Sequence, residues 1–268
     1  MSGSNEASAG MIRTVHHLSA TGGTVVCKLI AALEDVYLLS EIHPYAKGKI
    51  NFNPTGLMQQ MAAQYDCVST AELKELFLYQ LKKVYGISER DRRKLVIRDH
   101  AHSDYLGKVV LPYGSPPGLR SLIETTFTIK SIVTVRHPME SFLSTRKSGW
   151  LRPIRDDFDI YCARYLRFLD SYADVPLFKY EDVCADSERS FREICDALEL
   201  TYDPTVFERF GSRRLTGDSG RGGAVLKRYE PKEIPGELAE ALSRALGESA
   251  NCAEISRRLG YEFKHYLR

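Results

Sequence analysis

Apolar residues along this chain follow two rhythms. Short β-prone runs at residues 12–18, 36–40, 95–97, 129–135 and 176–179 alternate with longer stretches in which apolar positions recur every three or four residues. The helical stretches are 24–33, 119–126, 139–148, 157–172, 186–200, 235–246 and 253–259, together with one that opens on Ser69-Thr70-Ala71-Glu72 and ends near Gly86. That opening fits a capping box, and Leu73, Leu76, Phe77, Leu81 and Val84 follow it on one face. In 157–172 the face is Ile160, Tyr161, Arg164, Tyr165, Phe168 and Leu169; in 186–200 it is Phe191, Ile194, Cys195 and Leu198. Strands alternating with helices predict an α/β protein of three layers, a central, mainly parallel β-sheet flanked by helices.

Between these elements lie segments rich in Gly, Pro and Asn. EIHPYAKGKINFNPTG at 41–56 reads as a long loop of the kind that builds substrate pockets, and the run SERDRRK before residue 95 reads as a solvated turn. TGDSGRGGAVLKRY at 216–229 is glycine-rich and basic without any period, a loop able to close over an anion. Neither an internal repeat nor a linker interrupts the pattern. The expected organisation is a disordered tail at 1–10 and a single domain at 11–268.

Composition narrows the function. With 43% hydrophobic and 27% charged residues the chain reads as globular, and 37 Lys+Arg against 35 Asp+Glu leave a net charge of only +2. Such a balance argues against a nucleic-acid partner, so any anion site must be local. The six cysteines form no CxxC pair and no Cys/His cluster at zinc spacing, which predicts that most are buried reduced thiols and that no metal is bound. No stretch approaches the ~18 apolar residues of a membrane span, and the N-terminus lacks a signal-peptide core, so the expected location is cytoplasmic.

Three places carry candidate chemistry. The run at 12–18 gives way to Ser19-Ala20-Thr21-Gly22-Gly23-Thr24 and then a helix, a phosphate-cradle layout in which glycines admit an anion to backbone N–H groups at a helix N-terminus. An ordinary βα turn also often holds a Gly-Gly pair, and neither GxxxxGK[ST] nor GxGxxG is present. His100 and His102 fall just past a strand end, where open parallel sheets bind ligands; a hydrogen-bonding loop histidine is the plainer reading. Arg136 stands at another strand end with Ser144 eight residues on, either a surface cation or an anion clamp offering a bidentate guanidinium and a hydroxyl.

Together these pieces, spread over residues 12 to 230, resemble the PAPS-dependent sulfotransferases. The resemblance implies a P-loop NTPase-like fold. It also implies a glycine loop at Thr21-Gly22-Gly23-Thr24-Val25 for the 5′-phosphosulfate of 3′-phosphoadenosine 5′-phosphosulfate (PAPS), and an Arg136–Ser144 pair for the 3′-phosphate. Arg98-Asp99-His100 looks like the family's basic-x-His triplet, implying His100 as general base and Arg98 as the contact to the transferring group. Lys179-Tyr180-Glu181-Asp182 matches a segment whose tyrosine, here Tyr180, lies near the adenine, and Arg221 sits in a late loop that covers the nucleotide. Many family members place Lys or Arg before the small residues of the first loop, where this chain has Thr21. Arg98 is the first candidate to replace that cation and Arg221 the second, with Lys28 one turn too deep in its helix.

The implied reaction is in-line displacement, with PAP (adenosine 3′,5′-bisphosphate) leaving, no metal involved, and His100 or else His102 accepting the acceptor's proton. The implied acceptor is a small molecule or glycan bearing a hydroxyl or amine, and the first loop is more similar to the carbohydrate and glycoconjugate branch. Residues 41–56 and the Trp150 region are placed to line its site. Two rivals stand: a P-loop nucleotide or sugar kinase, which lacks its Walker lysine here, and a catalytically degenerate nucleotide-binding interaction protein.

Overall fold

The structure, a computed structural model, describes residues 10–45, 57–65, 67–107, 115–217, 234, 236–263 and 266. Five strands make one sheet: β1 (Met11–His17), β2 (Val36–Ile42), β3 (Lys94–Asp99), β4 (Thr128–Val135) and β5 (Leu177–Lys179). Their spatial order is β2-β3-β1-β4-β5, and every pairing is parallel. The helices are α1 (Gly23–Ala31), α2 (Leu57–Tyr65), α3 (Thr70–Arg90), α4 (His102–Tyr105), α5 (Gly118–Glu124) and α6 (Pro138–Lys147). After them come α7 (Phe158–Ser171), α8 (Tyr180–Ala185), α9 (Ser187–Ala197), α10 (Val206–Arg209), α11 (Gly236–Glu248) and α12 (Ala250–Leu259).

Both faces of the sheet are covered, as a parallel sheet requires, and strand alternation decides which side chain goes to which layer. Val15, Val96 and Ile132 pack under α1 and α9 with Val26, Ile30, Phe191 and Ile194. Ile12, Leu95 and Ile97 pack on the other side against Leu81 of α3 and Leu119 and Ile123 of α5. Further along that side Val133 and Val135 meet Phe142, Tyr161, Tyr165 and Phe168. This is the predicted three-layer α/β arrangement.

Local signals explain most element ends. The capping box at α3 is formed: Glu72 N–H donates to Ser69 Oγ at 3.2 Å, and Ser69 N–H donates to Glu72 Oε2 at 2.7 Å. Asp157 caps α7, its carboxylate accepting from Ile160 N–H at 2.9 Å. Two expectations need correction, and a stretch with no predicted element is helical. Helix α3 does not stop near Gly86 but continues to Arg90, so the charged run begins in the helix; Gly86 lies on an open face, where a helix tolerates it. Strand β3 extends through Arg98 and Asp99. Residues 57–65, between the long loop and α3, form α2. The tail at 1–9, residues 46–56 of the long loop, and Arg221 with most of 216–229 lie outside the described residues. Among those described, no helix is long and apolar enough to cross a membrane.

Candidate active site at the carboxyl edge of the sheet

β1 lies between β3 and β4 while the chain runs outward to β2 and later to β5, so connections leave β1 on opposite sides. A crevice opens where a parallel sheet reverses in this way. The ends of β1, β3, β4 and β5 deliver respectively the 18–22 loop, Arg98 and His100, Arg136, and Tyr180 to that one edge.

The loop after β1 is built close. Thr21 is fully buried and its hydroxyl donates to Leu18 O at 2.8 Å, so the side chain closes the turn instead of facing a ligand. Gly22 sits at φ 91° as the N-cap of α1, and no side chain caps that helix end. Val25 and Val26 N–H bond back to Gly22 O at 3.0 and 3.2 Å, which places the amides of Gly23 and Thr24 at the uncapped end. A Cβ on Gly22 would lie 2.5 Å from the Tyr180 ring, and one on Gly23 would strike the His17 ring. The backbone is therefore pressed against two side chains with no room for a third. Gly22→Ala combines a left-handed backbone with that overlap and is expected to cost ~1–3 kcal/mol, read as a drop in melting midpoint.

Arg98, the first candidate for the cation that the loop lacks, reaches the first turn of α1 from β3. It is 2% exposed and donates four hydrogen bonds to described residues. Nε donates to His17 Nε2 at 2.7 Å, and Nη1 to Ser40 Oγ at 3.1 Å and Thr216 O at 3.3 Å. Nη2 donates to Thr24 Oγ1 at 2.8 Å, on the first turn of α1, and forms an ion pair with Glu41 Oε1 at 2.7 Å. Burial first, and then the Arg98 charge, hold the His17 imidazole well below its usual range. It is thus neutral, donates Nδ1–H to Leu18 O at 2.8 Å, and accepts from the arginine. Lys28, five residues beyond the start of α1, is buried there.

Glu41 is the residue that sequence reasoning missed. The sequence pattern places it in a loop, but it is the penultimate residue of β2, at a register irregularity between Leu39 and Ile42, with φ 60°. Such bulges re-aim side chains, and this one turns a carboxylate onto Arg98. A Cβ on Gly217, itself at φ 77°, would overlap the Glu41 carboxylate, so the start of the late glycine-rich segment packs directly upon it. Burial, moderated by Arg98 and reinforced by Asp99, raises the Glu41 carboxyl to about 7. An acidic residue at a strand end before a Pro-containing loop was the available signal.

His100 and His102 are both brought to the edge, in different settings. His100 Nδ1 is hydrogen-bonded to Ser103 Oγ at 2.7 Å, while Nε2 stands 3.5 Å from Glu41 Oε2. Burial and then the neighbouring His43 push its imidazole down to about 4. His102 Nδ1 is bonded to Ser19 Oγ at 2.6 Å, its ring lies edge-on to Trp150 at 6.4 Å, and burial lowers it to about 3. Beneath them Asp99 holds His16 Nδ1 at 2.8 Å and accepts from Tyr172 OH at 3.1 Å, a buried support for the end of β3.

On the other flank Arg136 follows β4 directly. Its guanidinium lies over the Tyr180 ring with Cζ 4.9 Å from the centroid, and Nη2 donates to Glu140 Oε2 at 3.2 Å. Tyr180 is thus a shared wall, touching the loop glycine on one side and the arginine on the other. Ser144 is half-buried on the second turn of α6.

Solved structures match this arrangement over nearly its whole length. The sulfotransferase domain of the Synechococcus PCC 7002 olefin synthase aligns at TM-score 0.56 and 16% identity, covering 97% of this chain and 98% of that one. The sulfotransferase domain from the curacin biosynthetic pathway aligns at 0.54 and 17%, covering 94% and 98%. The chain has the sulfotransferase fold. It is accordingly a P-loop-like α/β protein, as the sequence resemblance implied. No protein-family model matches the sequence, nor does any curated protein. In the sulfotransferase fold of this chain, Arg98, His100, Arg136, Tyr180 and residues 21–24 share one edge of the sheet, while Val25 N–H is used within α1.

Proposed function

We propose that this chain is a PAPS-dependent sulfotransferase that moves a sulfuryl group to a hydroxyl, or an amine, of a carbohydrate or glycoconjugate acceptor. The observation that carries the reading is Arg98. A buried guanidinium bonded to Thr24 at the uncapped N-terminus of α1 puts a full charge where the loop offers only backbone amides, and together they suit a phosphosulfate. Gly22 and Gly23, pressed against the Tyr180 and His17 rings respectively, fix the backbone of the loop beside Tyr180.

PAPS would supply an activated sulfuryl group: its sulfur gains a bond to the acceptor oxygen and loses the one to the phosphate oxygen of departing PAP. The acceptor's proton goes to His100 Nε2, which is neutral at physiological pH and faces Glu41. Glu41, ionised above about 7, is the second candidate to receive that proton. Arg98 and the amides of Gly23 and Thr24 stabilise charge growing on the bridging oxygen, the electrostatic contribution that is usually largest. Arg136 and Ser144 hold the 3′-phosphate and Tyr180 flanks the nucleotide; Arg221 belongs to the covering segment. Trp150, 37% exposed beside His102, offers a ring face of the kind that stacks on a sugar.

A thermal-shift comparison of PAP, AMP and ATP with magnesium tests the reading. Selective stabilisation by PAP is the expected result. Preference for ATP with magnesium would favour a kinase, and no shift with any of them an interaction protein.

A further inference from the structure

The turn that carries Arg136 is wrapped by residues from the far end of the chain. Glu140, one helical turn beyond Arg136, is fully buried, and its two carboxylate oxygens are divided. Oε2 accepts from Arg136 Nη2 at 3.2 Å, and Oε1 accepts from Tyr266 OH at 2.6 Å, a contact spanning 126 positions of sequence. The intervening His137 ring is packed by Tyr261, Phe263 and Tyr266, with centroids 5.0, 5.0 and 5.2 Å away. A second carboxylate repeats the pattern: Glu181 accepts from His137 N–H at 2.9 Å and from Tyr261 OH at 2.6 Å.

A buried carboxylate beside a binding arginine is a competitor as well as a support. Left to itself it can turn both oxygens onto the guanidinium, the bidentate geometry that arginine and carboxylate favour, and so neutralise the charge a phosphate needs. Here the Tyr266 phenol donates to one oxygen while the arginine donates to the other. We infer that Tyr266 is a positioning residue for the 3′-phosphate: by engaging Glu140 it holds the orientation of the Arg136 guanidinium over Tyr180 in which it meets that phosphate. The inference rests on the sulfotransferase reading above, in which Arg136 meets the 3′-phosphate, and it adds a selectivity element contributed by Tyr266.

The discriminating ligand pair is PAP and AMP, which differ by that phosphate alone. By calorimetry on the full chain, Tyr266→Phe is expected to weaken PAP about tenfold, the scale of one hydrogen bond to a charged group, while the AMP constant stays within a factor of two. A merely structural tyrosine would weaken both ligands in parallel, and that outcome, or an unchanged PAP-to-AMP ratio, overturns the inference. Tyr266→His keeps an aromatic ring with an N–H able to donate to Glu140 and is expected to hold the ratio within about threefold of the parent. A His variant as poor as the Phe variant would also count against it. Wild-type protein that binds PAP no more tightly than AMP would instead remove the 3′-phosphate reading of Arg136, and the role of Tyr266 with it.

Discussion

His100→Ala is expected to lower turnover by ~10²- to 10⁴-fold, the usual contribution of a general base, with PAP affinity unchanged. The geometry gives this substitution a single site of action. Ser103 engages Nδ1, so only Nε2 faces the sheet edge, and it faces Glu41 Oε2 across 3.5 Å. An imidazole held down at about 4 is neutral through the physiological range and always ready to accept, but it holds a proton weakly. A carboxyl raised to about 7 is the better match to working pH.

The pH profile separates the two. With His100 as sole base, activity is flat above pH ~5, because the imidazole is already deprotonated there. With Glu41 as the base, activity rises about tenfold per pH unit on approaching 7 and levels beyond it, and Glu41→Gln abolishes that limb. Nucleotide affinity runs the opposite way. An ionised Glu41 competes with the incoming anion for Arg98, so binding takes up a proton at Glu41 and PAP binds more weakly as pH rises through about 7. Full activity in His100→Ala would transfer the role to Glu41. His102 is the poorer substitute, being pushed to about 3 by burial and bonded to Ser19.

What was legible in the sequence is what local spacing encodes. Apolar alternation and the Ser69–Glu72 box mark strands and a helix start because the interactions involved span only a few residues. The glycine loop, Arg98, His100 and Arg136 were legible for a related reason: in a parallel sheet, whatever follows a strand lands on one edge. Partners could not be read that way. Arg98 meets His17, Glu41 and Thr216 at separations of 81, 57 and 118 positions, and only the folded sheet joins them. Thr21 stands where a cation was expected, and Arg98, already the first candidate to replace it, reaches Thr24 of α1 from β3, a contact that only the folded sheet makes. Glu41 escaped because a register irregularity aims it inward, and its one local signal, an acidic residue at a strand end, does not encode that irregularity. Helix α3 overran Gly86 because a glycine on an exposed face costs only ~1 kcal/mol against twenty other helical positions.

Arg136→Ala is expected to weaken PAP by about two orders of magnitude, since a desolvated, charge-assisted contact to phosphate is worth a few kcal/mol. The loss should be confined to the 3′-phosphate. AMP, which lacks it, should bind the variant nearly as well as the parent, because the loop, Arg98 and the Tyr180 ring remain. The substitution also strips Glu140 of a cationic partner inside the protein, and removing one member of a buried pair can cost ~3–5 kcal/mol of stability. That cost and the binding loss have separate signatures. Destabilisation lowers the melting midpoint without ligand, and Arg136→Ala/Glu140→Gln should restore much of it by neutralising the stranded carboxylate. PAP affinity should not return in the double variant, because the guanidinium is still missing. Recovery of binding along with stability would mean that Arg136 serves the fold and not the nucleotide, and unchanged calorimetric affinity in Arg136→Ala would end its assignment to the 3′-phosphate.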